Sequence, residues 1–382
     1  MQSSLLQRLR LAALVVGVFL IGANSFVLGP ILGDVARTLD TEPVAVTRAI
    51  SAFGAAAAFS AFFLSGVIDR YAMRVVLSGS ALLIASGFAG SALSPAWQVL
   101  AFFQAVTGLA TGVLLPAVYS QAVRAAPPGK GARTFGIVLS GWSLSLIVGV
   151  PLSAMLSDAL DWRLAYGALA TLALLTCLIF AVTGDGNPDN ARGKVYTRRE
   201  AIRVRGVVSM LATGLLFMTV FYGTYALLGL RMRDALGISA AAASLAVMTY
   251  GIGFGIGGIL ARHVDRLGPA RLFPFLLGGS GLVYLLLYPS TQAYWSSLLA
   301  TFLLGIFNHF GLNLTVLLLA ERKLEARGTL IGLNTTVTYS AVFFGPLLMS
   351  GLYAGFGYGA VSLCGGLFLA VCVILMWRLR RA

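Results

Sequence analysis

The sequence predicts an all-α membrane protein in which twelve crossing helices form two pseudo-symmetric bundles of six. Three observations predict it: apolar runs of crossing length throughout the chain, a basic bias that alternates loop by loop, and a charged turn that recurs at a fixed distance. Hydrophobic residues make up 58% of the 382, and charged residues 10%. A soluble domain carries about 25% charge. With a mean hydropathy of +0.90, this chain has too little polar surface for water, and the bilayer fits as its solvent.

An apolar stretch of about 20 residues crosses roughly 30 Å of hydrocarbon as a helix. Such stretches lie at 11–33, 45–68, 75–94, 97–122, 135–157, 164–183, 206–230, 241–261, 272–289, 293–319, 329–352 and 357–377. The first reads as a span and not as a cleaved signal, since it continues as one long apolar run with eleven more behind it. With an even number of spans and both termini cytoplasmic, the inner segments carry 22 of the 27 Lys and Arg. Arg37, Arg48, Arg163, Arg231 and Arg233 alone fall outside. That is the distribution of the positive-inside rule, and it divides the net charge of +14 into +15 inside and −1 outside. Cations scattered over short loops suit anionic membrane lipids and topology better than nucleic acid, which is excluded as a partner.

The repeat supports the count independently. Gly66-Val-Ile-Asp69-Arg70-Tyr-Ala72-Met-Arg74 returns as His-Val-Asp265-Arg266-Leu-Gly268-Pro-Ala-Arg271, 196 residues later from Asp to Asp. Ala132-Arg133 before span five matches Ala326-Arg327 before span eleven, 194 residues on. Gly149 with Pro151 matches Gly345 with Pro346, at offsets of 196 and 195. Two parallel six-helix units that rock against each other follow from this pattern. The units are 1–183 and 206–382, joined by a polar cytoplasmic linker at 184–205 with a short amphipathic piece around Thr197–Arg205.

Taken in order, the spans offer few polar residues, and a polar group within a span is costly enough to be a functional candidate. Span one holds Asn24 midway and Asp34 at its outer end; the rival reading of Asp34 is a solvated interfacial residue. Span four places Gln104, Thr107 and Thr111 in an i, i+3, i+7 stripe. Span seven holds Tyr222 and Tyr225, and the glycine run Gly251–Gly258 in span eight permits close backbone approach. Span ten has the densest cluster, Asn308, His309 and Asn313, of which 309 and 313 share a face. Imidazole exchanges protons near neutral pH, which makes His309 a coupling candidate besides Asp34; a neutral His satisfied by a neighbouring helix is its rival. Span eleven adds Asn334, Thr335, Thr338 and Tyr339. Gly149 with Pro151 and Gly345 with Pro346 are expected to bend their helices. Cys177, Cys364 and Cys372 lack any paired spacing for a metal or disulfide framework. No nucleophile–base set, metal-ligand set or phosphate-binding loop is evident, so no catalytic residue, metal or cofactor is expected.

The repeated turn, with Gly66, Asp69, Arg70 and Arg74 in one copy and Asp265, Arg266, Gly268 and Arg271 in the other, resembles the signature of major facilitator superfamily transporters. The closer similarity is to the twelve-span bacterial drug and sugar efflux group of drug:proton antiporters. It rests on FVLGPILGDVARTL at 26–39, on Gly141 with GVPL at 149–152, and on Asp161-Trp162-Arg163. Ala72 stands where that signature has Gly, and Gln104 stands where many proton-coupled members have an Arg. The resemblance implies a bacterial cytoplasmic (inner) membrane protein, and a cytoplasmic gate at the two turns. It also implies a substrate cavity lined mainly from spans one, four, seven and ten; its candidate residues are Asn24, Gln104, Thr107, Tyr222, Tyr225, Asn308, His309 and Asn313 of those spans, with Asn334 and Tyr339 of span eleven. The expected activity is proton-coupled efflux of a small organic or amphipathic solute by alternating access, with the protein as a monomer. Import or facilitated diffusion of a metabolite is the alternative, and a non-transporting membrane sensor is the reading from another class.

Overall fold

In a computed structural model, residues 2–64, 67–124, 131–183, 197–323 and 326–381 are described. Every regular element among them is helical: α1 (Gln2–Thr38), α2 (Pro43–Phe63), α3 (Val67–Arg70), α4 (Met73–Ala92), α5 (Trp97–Arg124), α6 (Gly131–Leu144), α7 (Val150–Ala159), α8 (Trp162–Thr183), α9 (Arg198–Ile202), α10 (Val207–Leu236), α11 (Ala240–Leu267), α12 (Pro269–Ser290), α13 (Tyr294–Ala320) and α14 (Arg327–Arg381). Eleven described helical segments are long and apolar enough to cross a membrane, so the chain is a multi-pass membrane protein. The chain divides into two compact units, Met1–Ala191 and Arg192–Ala382.

Glycines set the packing inside each unit. In the first, α2 lies on α5, and a Cβ placed on Gly108 would strike the Phe53 carbonyl oxygen. In the second, α11 lies on α13, and a Cβ on Gly305 would strike the Tyr250 carbonyl oxygen. Gly108 to Gly305 and Phe53 to Tyr250 are both steps of 197 residues, so the repeat read from the sequence recurs as one contact made twice. The remaining pairings correspond too. The helix α1 packs on α6 and α7 as α10 packs on α14, and α4 packs on α5 and α8 as α12 packs on α13 and α14. Close approach is again made by glycine: a Cβ on Gly141 would sit 2.5 Å from the Val15 carbonyl oxygen, and one on Gly345 2.6 Å from that of Thr219.

The expected bends resolve differently in the two units. Between α6 and α7, Ser145–Gly149 form one turn of π-helix, with Val150 alone between it and Pro151. Such a turn absorbs an extra residue, and proline cannot donate the backbone bond that would close a regular turn. In α14 the non-helical residue is Gly357 (φ 73°, ψ −178°), eleven positions beyond Pro346. That conformation is open essentially to glycine alone. The apolar stretch Gly328–Leu379 is 52 residues long, and the break at Gly357 divides it into two helical parts, at the boundary between the runs 329–352 and 357–377. The two parts together hold about 78 Å of helix at about 1.5 Å per residue, more than twice the hydrocarbon thickness of about 30 Å.

The two charged turns also differ. Gly66 lies outside the described residues, as do the side chains of Asp69 and Asp265; Arg70, Arg74, Arg266 and Arg271 are exposed. Ala72 caps α4 at φ −56°, where any L-residue fits, whereas Gly268 joins α11 to α12 at φ 93°. The departure of the first copy from the glycine pattern therefore follows from backbone conformation. In the linker, residues 184–196 lie outside the described part, and the amphipathic piece is α9. Its start is a capping box: Thr197 N–H donates to Glu200 Oε2 at 2.8 Å, and Glu200 N–H donates to Thr197 Oγ1 at 3.3 Å.

Candidate transport site

In the first unit, three helices bring uncharged polar groups together. Asn24 of α1 donates from Nδ2 to Gln104 Oε1 of α5 at 2.9 Å, and Gln104 donates from Nε2 to Ser91 Oγ of α4 at 3.1 Å. Ser91 Oγ donates in turn to the Gly87 carbonyl at 2.8 Å. All three side chains are buried, with Asn24 4% exposed, and its Oδ1 has no hydrogen-bond partner. Asn24 and Gln104, both singled out in the sequence, thus hydrogen-bond each other between α1 and α5. Ser91 was not singled out in the sequence, where a lone serine in an apolar span carries no signal beyond its i, i+4 spacing from Gly87.

The rest of the span-four stripe behaves otherwise. Thr107 Oγ1 donates to the Phe103 carbonyl at 3.0 Å, and Thr111 Oγ1 to that of Thr107 at 2.9 Å, so both hydroxyls serve their own helix. Asp34, near the end of α1, is 16% exposed at its side chain and pairs with Arg37 at 3.3 Å. Arg37 is 76% exposed while the Asp34 carboxylate is mostly covered, so the pair is open only on its Arg37 side.

The second unit carries aromatic rings where the first carries amides. Phe221 stacks on Tyr250 at 5.2 Å, with Tyr225 at 5.6 Å and Tyr222 at 5.1 Å from the same ring. Tyr250 leads to Phe254 at 6.2 Å, and Phe254 meets His309 edge-on at 4.8 Å. A small cavity beside this run is lined by Tyr225, Tyr250, Tyr284 and Thr301, and by Thr224, whose buried Oγ1 has no partner.

The span-ten cluster is divided among three directions. Asn308 turns to α12, accepting from Ser280 Oγ at 2.9 Å and donating to Tyr284 OH at 3.4 Å. His309 turns to α11, where a Cβ on Gly257 would lie 2.6 Å from its Cβ and one on Gly258 3.2 Å from its ring. Its Nδ1 has no hydrogen-bond partner. Asn313 is exposed and donates to the His309 carbonyl at 2.9 Å. The partners Ser280 and Tyr284 also escaped the sequence reading, although their i, i+4 spacing marks one polar face of span nine. Asn334 and Tyr339 are buried on α14, with Asn334 facing α10 near Gly214.

The arrangement offers hydrogen bonds and ring faces between helices long and apolar enough to cross a membrane. Among the described residues, no cluster of three or more His, Cys, Asp or Glu is placed to hold a metal ion. The model of the Major Facilitator Superfamily matches residues 14–346, and a second match covers 210–382. The chain belongs to the Major Facilitator Superfamily. It is 27% identical over 360 residues to the MFS-type transporter YwfA of Bacillus subtilis, covering 92% of this chain and 87% of that one. A protein named as a probable sugar efflux transporter of Helicobacter acinonychis is 24% identical over 355 residues, with 90% of each chain covered. The fold matches that of a bacterial homologue of the human lysosomal transporter Spinster, with a TM-score of 0.78 at 15% identity over 98% of this chain and 97% of that one. It equally matches a peptide transporter, with a TM-score of 0.78 at 15% identity over 97% and 94%. Members of this superfamily and the structural neighbours are transporters, not enzymes. The doubled glycine contacts described above are the internal repeat of this major facilitator chain.

Proposed function

We propose that this major facilitator protein exports a small, uncharged, hydroxyl-bearing or amphipathic solute across the bacterial inner membrane by alternating access. The observation that carries the reading is the buried Asn24–Gln104–Ser91 relay, a polar set at membrane depth with no ionised member. Buried polar groups in a span are costly and are kept where they serve a solute or an ion. Similarity to probable sugar efflux transporters supports the outward direction. In this reading α14 crosses twice about Gly357, giving twelve crossings in two six-helix bundles at 1–183 and 206–382, with the linker and both termini cytoplasmic. The two charged turns act as the cytoplasmic gate. The protein works as a monomer among lipids, and proton entry through Asp34 or His309 drives efflux.

Facilitated movement without protons is favoured by one observation. His309 packs against Gly258 and Phe254 and does not bond Asn308 or Asn313 through its ring. Protons couple only if protonation changes solute affinity or the access equilibrium. Oriented proteoliposomes screened with neutral glycosides under an imposed pH gradient separate the two readings. Uphill movement that collapses with the gradient, and in either Asp34→Asn or His309→Gln, supports proton-coupled export. Movement that is only downhill, and indifferent to both substitutions, supports facilitated diffusion and removes Asp34 and His309 from the mechanism.

A further inference from the structure

The buried relay has a direction, and the direction specifies a ligand. A serine hydroxyl has one proton, and Ser91 Oγ commits it to the Gly87 carbonyl at 2.8 Å. Towards Gln104 it can then only accept, so Gln104 turns its Nε2 to Ser91 at 3.1 Å and its Oε1 to Asn24. Asn24 must answer that oxygen with a donor, and does so through Nδ2 at 2.9 Å. The Oδ1 that is left is a buried acceptor without a partner. Reversing the Asn24 amide would set two carbonyl oxygens face to face, so the polarity of the Asn24 end is fixed two helices away.

An unpaired buried acceptor is retained at a cost, which a donor relieves. We propose that Asn24 Oδ1 accepts a hydrogen bond from a neutral hydroxyl or N–H of the transported solute, and that Ser91 is a positioning residue that fixes this polarity through Gln104. An anion is disfavoured by the lone pairs of Oδ1. A cation would bring a buried charge that no carboxylate in the relay compensates. The identity of the occupant rests on the transport reading above; the polarity of the relay does not.

The test uses purified full-length protein with four neutral probes (methyl β-galactoside, lactose, sorbitol and N-acetylglucosamine), one cation (tetraphenylphosphonium) and one carboxylate (gluconate). At least one neutral probe is expected to bind, and its O-methylated analogues to bind roughly three- to tenfold more weakly, the ratio one hydrogen bond supports. Ser91→Ala is expected to erase that ratio, and Gln104→Met, of similar volume, to do the same should Ser91→Ala fold poorly. Independently of any ligand, the Gln104 side-chain NH2 resonance, assigned by its loss in Gln104→Met, is expected to shift in Ser91→Ala. An unmoved resonance, an unchanged ratio, or binding of the cation or carboxylate with all neutral probes excluded overturns the proposal. So does binding of none of the neutral probes, which would assign Oδ1 to a buried water. If no probe crosses proteoliposomes while the neutral preference persists and depends on Ser91, the transport reading fails and the relay stands.

Discussion

At Gly268 a single dihedral angle explains a difference between two otherwise matching turns. The φ of 93° lies where a Cβ crowds the backbone, while Ala72 at the matching position has φ −56°. Gly268→Ala is therefore expected to cost about 1–3 kcal/mol. Ala72→Gly should cost under about 1 kcal/mol, through the added freedom of the unfolded chain. Thermal unfolding of the detergent-purified variants checks the asymmetry: equal losses would mean that the two turns share a conformation. The same residue-by-residue view shows why the candidate site was only partly legible. Asn24 and Gln104 stand out because polar residues are rare in these spans. Ser91 and Ser280 do not, because a serine in an apolar helix most often returns its hydroxyl to the backbone, as Ser86 and Ser78 do. Nor does sequence say which way a helix residue turns. Adjacent positions lie about 100° apart on a helix, and Asn308 and His309 accordingly serve different neighbours.

Helix pairs form where glycine lets one backbone reach another. In the α11–α13 pair, a Cβ on Gly305 runs into the Tyr250 carbonyl, a group that cannot swing away as a side-chain end can. Gly305→Ala is expected to lower stability by about 1–3 kcal/mol through overpacking. Gly255→Ala, where a Cβ meets nothing within 4 Å, should hold or raise it, with a helix-propensity gain of up to about 1 kcal/mol. Melting temperatures of the two variants in detergent decide the matter, and a similar loss in both would refute the backbone-contact explanation. Most of the elements were legible because the bilayer forces each crossing to be apolar for about 20 residues. In the region 329–377 hydropathy marks the two apolar runs and their boundary, but not the positive-φ backbone of Gly357 that separates the two helical parts. In the sequence the linker helix reads only as a short amphipathic piece; the capping box in Thr197-Arg-Arg-Glu200, whose spacing closes both orphan N–H groups at once, is seen in the structure.

Across the whole molecule the repeat preserves backbone contacts and exchanges chemistry. At the 197-residue step that carries Phe53 to Tyr250, Asn24 becomes Phe221 and Gln104 becomes Thr301, so amides in one unit give way to rings and a hydroxyl in the other. The ends of the first helices even swap sign: Asp34 and Arg37 become Arg231 and Asp234. Arg231 bonds Thr291 at 3.1 Å and covers the Tyr288 ring, while Asp234 accepts from Tyr353 OH at 3.3 Å. A repeat of this kind preserves helix order and contacts within each unit while the side chains diverge. In the twelve-crossing reading proposed above, two units of six return the chain to its starting side, and α14 reverses about Gly357. Fluorescent-protein and alkaline phosphatase fusions after Arg381 test this directly. With twelve crossings and the N-terminus inside, the fluorescent fusion should mature and the phosphatase should stay inactive. A fusion moved to Gly355, at the expected outer end of the first half of α14, should reverse both signals. An active phosphatase after Arg381 would mean an odd number of crossings, and it would break the correspondence between α4–α8 in the first unit and α12–α14 in the second.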